Sequence, residues 1–153
     1  MLGSFTRAVA LCLVVAGTVA TTHAETLSQT VKLPFDLRTP HKLDLVMGPV
    51  RVNGASITQE DRRLVDVVLP PRGGQTRFGW LKTLVQVQNQ GKDAYDVRIG
   101  VKLLDAAGAV IDEFEFGGKS WLGKTREFTL TRLTLNYVMP LIQTVELTVT
   151  VET

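Results

Sequence analysis

The chain has 153 residues, 44% hydrophobic and 21% charged, with 17 basic against 15 acidic residues and a formal net charge of +2. That length suits one domain with a core of its own. The charges are scattered along the sequence, which excludes the basic stripe of a nucleic-acid binder and a polybasic membrane patch.

Residues 1–24 read as a secretory signal peptide, leaving a single domain over 25–153. Arg7 supplies the positive start, Ala8 through Ala16 form an apolar run, and Thr22-His23-Ala24 present small residues for cleavage before Glu25. A second acceptable cut follows Ala20. The run falls short of the about 20 residues a membrane span needs, and no later segment approaches that length. A lipoprotein signal at Cys12 fails because Leu11, not a small residue, precedes it. Cys12 is the only cysteine, so the mature chain is expected to lack disulfides, thiol nucleophiles and thiolate metal sites. An exported chain that folds without disulfides fits a bacterial periplasm.

Along the mature chain the dominant period is two, the signature of half-buried strands. Val31, Leu33, Phe35 and Leu37 alternate with polar residues, and Pro34 demotes this segment to an edge strand or an entry segment. Leu43, Leu45 and Met47 continue the pattern to Gly48-Pro49. Val50-Arg51-Val52 resumes it before Asn53-Gly54, a turn signal. Thr58-Gln59-Glu60-Asp61 has the form of a capping box. It predicts a short turn or 3₁₀ piece leading into a strand at Val65–Val68, with Pro70–Gly74 as a loop. Leu81–Gln88 reads as a strand and Gln90–Asp93 as a turn. Val97, Ile99, Val101 and Leu103 then share one face, with Asp96, Arg98 and Lys102 opposite. Asp105-Ala106-Ala107-Gly108 predicts a hairpin loop whose glycine takes a positive φ. Val110–Phe116 is its partner strand. Arg126–Leu135 is another strand, with a phase shift between Leu130 and Leu133 of the kind a β-bulge produces. Last, Val145, Leu147, Val149 and Val151 alternate with Thr144, Glu146, Thr148 and Thr150.

Roughly seven to nine short strands without a helical period predict an all-β, immunoglobulin-like antiparallel sandwich. A barrel is the main alternative. Asn89-Gln90-Gly91, Leu103 through Val110 and Leu122-Gly123-Lys124-Thr125 resemble FxLYD-type and related immunoglobulin-like domains of bacterial envelope proteins. The resemblance covers about the second half of the mature chain. It implies the fold and a non-catalytic, adhesive or accessory role, and it brings no functional residues with it.

The chemistry-bearing residues are few. Gly118-Lys119-Ser120 has Glu113 where a phosphate-binding loop needs glycine, and no helix follows it, so it reads as a strand-connecting loop. Ser28, Ser56 and Ser120 sit in no nucleophile elbow. His41, the only histidine beyond His23, follows Pro40 in a loop and reads as solvated. Cleavage after Thr22 would pair an N-terminal His23 with His41 in a copper brace, but Ala24 is the better cleavage residue. Asp105, Asp112, Glu113 and Glu115 gather near one hairpin, yet alternation sends Glu113 and Glu115 away from Asp112. Neither the about six to eight convergent oxygens of calcium nor a glycosidase's paired acids about 5–10 Å apart result. No cofactor or metal is expected.

Phe78, Trp80 and Trp121 are the candidate contacts for a ligand or partner, with Tyr95 and Tyr137 completing the aromatic inventory outside the strand cores. An edge strand would offer backbone pairing to a partner. These features lead to three expectations. The first is an exported protein-interaction or accessory module whose partner is another envelope or secreted protein. The second is a carbohydrate-binding module using a tryptophan. The third is a small exported enzyme or copper protein using His41.

Overall fold

The computed structural model describes residues 26–60 and 78–152. Among them, eight strands form two four-stranded antiparallel sheets that pack face to face. Sheet 1 contains β1 (Thr26–Pro34), β8 (Thr144–Glu152), β5 (Tyr95–Leu104) and β6 (Val110–Ser120), in that spatial order. Sheet 2 contains β2 (His41–Met47), β3 (Val50–Glu60), β4 (Phe78–Asn89) and β7 (Thr125–Leu135). One turn of 3₁₀ helix at Met139–Leu141 joins β7 to β8. The two sheets stay separate ladders, so the fold is the expected sandwich and not a barrel. The chain crosses between sheets from β4 to β5 and from β7 to β8, while β4 pairs with β7 and β5 with β8. Such interlocked crossings characterise an immunoglobulin-like Greek key.

Alternation explains the core. Val97, Ile99, Val101 and Leu103 of β5 are at most 1% exposed. Val145, Leu147, Val149 and Val151 of β8 lie beside them in register. From sheet 2 come Val50, Val52, Ile57, Leu81, Val85, Val87 and Phe128. Burying each of these side chains contributes about 1.5–3 kcal/mol, which makes this two-sided apolar layer the main source of stability. Shifting either central strand by one residue would turn the whole set to solvent.

Pro34 ends β1 at the edge of sheet 1, as its missing N–H requires. Phe35 and Leu37 lie beyond the strand but still pack on the core. Gly108 takes a positive φ, 82°, in the hairpin loop predicted for it, and Gly48, where the apolar pattern breaks, takes φ 57°.

Five local expectations are corrected. Asn53-Gly54 is not a turn: β3 runs through it, and the register with β4 slips between Val52 and Gly54, so Asn53 is a bulge residue. Thr58, Gln59 and Glu60 are strand residues opposite Lys82, Leu81 and Trp80; ladder pairing outweighs the capping signal. Arg126–Leu135 has no bulge, because β7 keeps continuous register with β4 from Thr125 to Leu135. The apolar phase shift there arises because Arg132 takes an inward-phase position and Leu133 points outward. His41 opens β2 and is half-buried, and Gly118–Ser120 belong to β6. The strand expected at Val65–Val68 and the loop at Pro70–Gly74 lie outside the described residues, as do residues 1–24.

Candidate functional site

The sandwich has two ends, and the candidate residues divide between them. Phe78 and Trp80 begin β4 on the outer face of sheet 2, both half-buried. Trp80 is in register with Glu60 on one side and Leu133 on the other, and Phe78 is in register with Leu135. Leu133 is 41% exposed, although it sits in a strand. At the same end the β7–β8 connection presents Tyr137 and Leu141, 72% and 57% exposed. Leu133 and Leu141 were absent from the sequence candidates. The signal for Leu133 was present, since the phase shift in β7 is this leucine turning outward beside a tryptophan.

Trp121 lies at the opposite end, just after β6. Measured along β4 at a strand rise of about 3.3 Å per residue, the two tryptophans stand about 30 Å apart. They cannot form one aromatic platform, so stacking on a sugar would fall to Trp121 without Trp80. Trp121 and its neighbour Leu122 are 57% and 56% exposed at the tip of the β6–β7 turn.

Asn89 builds the frame behind that tip. It is fully buried at the end of β4. Its Nδ2 donates to the carbonyls of Asp93, at 2.8 Å, and Ser120, at 2.9 Å. Its Oδ1 accepts from the Gly91 amide at 2.8 Å. One amide side chain therefore joins the β4–β5 turn to the end of β6. The backbone N–H of Asn89 also reaches the Lys124 carbonyl at 3.2 Å. The motif Asn89-Gln90-Gly91 is an Asx turn extended by a cross-sheet tie.

The titratable residues are held in structural roles. Asp105 accepts from the amides of Ala107 and Ala109 and shapes the β5–β6 turn. Asp112 pairs with Arg132 at 3.1 Å, while Glu113 and Glu115 face the other way. Asp36 accepts from the Arg38 amide, and its carboxyl is held below the usual range chiefly by a hydrogen bond from the Thr39 side chain and then by that amide. Asp36 and His41 border a small apolar gap between the sheets, ≈ 10 Å³, with Leu33, Ile57 and Leu147. That is room for about one water and no substrate.

The outer face of sheet 1 carries a shallow open groove where Gly100 and Gly117 leave no side chains. Of the charges along it, Arg98 pairs with Glu152 at 3.1 Å and Lys102 with Glu146 at 4.0 Å, and Asp96, Glu113 and Glu115 line it as well. Glu146 also meets Lys32 of β1 at 3.5 Å. Among the described residues no group of three or more His, Cys, Asp or Glu is placed to hold a metal ion. No helix there is long and apolar enough to cross a membrane.

No protein-family model matches the chain, and no curated protein matches it. Among solved structures it is similar to a β-glucuronidase from glycoside hydrolase family 2, at 12% identity and a TM-score of 0.40, over 54% of this chain and 7% of that one. It is also similar to the enzymatically active domain of Bacteriophage CBA120 tailspike protein 4, at 9% identity and a TM-score of 0.27, over 81% of this chain and 17% of that one. The chain thus spans less than a fifth of either protein. Likenesses this distant carry no argument about activity.

Proposed function

We propose that this protein is an exported, non-catalytic β-sandwich that acts in the bacterial periplasm as a protein-interaction or accessory module of the cell envelope. The observation that carries the reading is the apolar end of the molecule, where Leu133 lies beside Trp80 and Tyr137 and Leu141 stand exposed. Large apolar side chains left in water on a fold with a filled core favour a protein surface that covers them. Trp80 and Tyr137 are of the residue types that anchor such interfaces. The resemblance of the second half to FxLYD-type envelope domains supports the same role. Asp36 and His41 support it too, since the gap they border has no room for a reacting molecule.

The test places a photoreactive phenylalanine analogue at Tyr137 or Leu141 in cells that export the protein. Irradiation is expected to give one adduct of discrete mass from both positions. Thr129, on the outer face of sheet 2 away from this end, is expected to give none. The reading is overturned if adducts are absent or indiscriminate. It is also overturned if the purified protein shows a turnover that His41→Ala abolishes.

A further inference from the structure

The turn between β6 and β7 exposes apolar surface in a different setting. Ser120 is fully buried, yet every residue from Trp121 to Glu127 is exposed. The turn is a built one: the Lys124 amide donates to the Trp121 carbonyl at 3.3 Å, and Gly123 takes φ 64°. Asn89 fixes its base from below. Only position 123 needs a special residue for this geometry. A tryptophan and a leucine at 121 and 122 therefore meet no demand of the turn, and polar residues there would leave the fold intact.

Cations surround this apolar pair. Lys119 and Lys124 flank it in sequence, and neither is within ion-pair distance of an acid among the described residues. Arg126 donates to the Lys119 carbonyl and lies 4.9 Å over the Phe128 ring, which holds a third cation at the base of the turn. Acids stand behind it: Asp96 opposite Lys119, Glu127 in β7, and Asp93 in the β4–β5 turn, whose carbonyl shares the Asn89 amide with that of Ser120.

We propose that this tip is an anchor for the surface of an anionic bilayer. Trp121 and Leu122 enter the boundary between headgroups and acyl chains, and Lys119 and Lys124 contact the lipid phosphates. Tryptophan is at home in that boundary because its ring is apolar and its N–H is polar. Lysine stems lie along the apolar layer while their ammonium groups stay with the phosphates. Three cations are too few for a polybasic patch, and two apolar side chains hold a bilayer only weakly. Stable peripheral binding takes two such signals together. A protein pocket would be satisfied by the apolar pair alone, and a glycan by the ring alone. Unpaired lysines on both sides of the pair favour the bilayer. The tip lies at the opposite end from Trp80, so this inference stands apart from the partner reading above.

The test uses the mature chain with phosphatidylcholine vesicles made with or without phosphatidylglycerol. Co-sedimentation is expected with the anionic vesicles, weakening about tenfold or more without phosphatidylglycerol or in high salt. Brominated acyl chains are expected to quench Trp121 and leave Trp80 emission unchanged. Trp121→Ala with Leu122→Ser should abolish binding at an unchanged melting temperature, and Lys119→Gln with Lys124→Gln should erase the phosphatidylglycerol preference. Unaltered binding by the Trp121/Leu122 variant overturns the proposal. So does an absence of binding to every vesicle. A discrete protein crosslink from position 122 without vesicle binding also overturns it and gives the tip to a protein partner.

Discussion

Asn89 ties together three backbone groups at one end of the sandwich. Its amide satisfies two carbonyls and one N–H from segments that would otherwise carry unpaired groups inward. Alanine in its place leaves those groups buried without partners, each a penalty comparable to a lost hydrogen bond. Asn89→Ala is expected to destabilise the protein by about 2–4 kcal/mol in urea unfolding. Asn89→Asp keeps the acceptor for Gly91 but loses the donor to Asp93 and Ser120, and it should recover little. Equal stability of Asn89→Ala and the parent would show that these bonds do not hold the end of the sandwich. The sequence marked Asn89 as turn chemistry because Gly91 follows two residues later. Its partner Ser120 is 31 positions away, and no local pattern reveals such a tie.

Among the strands, legibility followed burial. β4, β5 and β8 were readable because each sends every second residue into one apolar layer and the others outward. β3 was broken at Asn53-Gly54 because the same dipeptide serves a hairpin turn or a bulge, and only the partner strand decides which. In β7 the apolar period fails at Arg132, whose inward-phase position would otherwise suit an apolar residue. Arg132 bonds Asp112 at 3.1 Å and lies 5.2 Å over the Phe114 ring, so it links β7 of sheet 2 to β6 of sheet 1. A planar cation that donates to a carboxylate from one nitrogen and to the Glu113 carbonyl from the other, and stacks on a ring, is not replaced by a point charge. Arg132→Ala is expected to lower stability by about 1–2 kcal/mol. Arg132→Lys should restore less than half of that loss, read as the shift in urea midpoint. Full restoration by lysine would mean that charge alone closes this edge. The candidate residues were half legible in the same way. The aromatic types drew attention to Phe78, Trp80 and Trp121, but their division between two ends follows from topology.

For the molecule as a unit, β1 is the strand on which the integrity of sheet 1 depends. It lies at the edge, mostly exposed, and ends on Pro34, which has no N–H to offer a further strand. Its inner face adds Leu27, Val31 and Leu33 to the core margin. Deleting residues 26–34 would leave β8 as a bare, strongly β-forming edge. The truncated chain is expected to lose its cooperative thermal transition and to aggregate in size-exclusion chromatography. A synthetic peptide of Thr26–Pro34 supplied in excess should return it to the monomer fraction. A monomeric truncation that melts cooperatively without peptide would count against this role for β1.

The position of β8 has a consequence for when folding can finish. This strand, the most C-terminal of the eight, sits between β1 and β5 at the centre of sheet 1. Hydroxyl contacts such as Ser28 with Thr150 therefore join residues 122 positions apart. Until β8 has been synthesised, β1 has no neighbour and the β5–β6 hairpin has only one face of a sheet to offer. Such long-range closure is slow, in the range of roughly milliseconds to seconds for sandwiches of this kind. Sheet 2 and the β5–β6 hairpin can form without β8, so what this strand closes is sheet 1, and with it the second wall of the core.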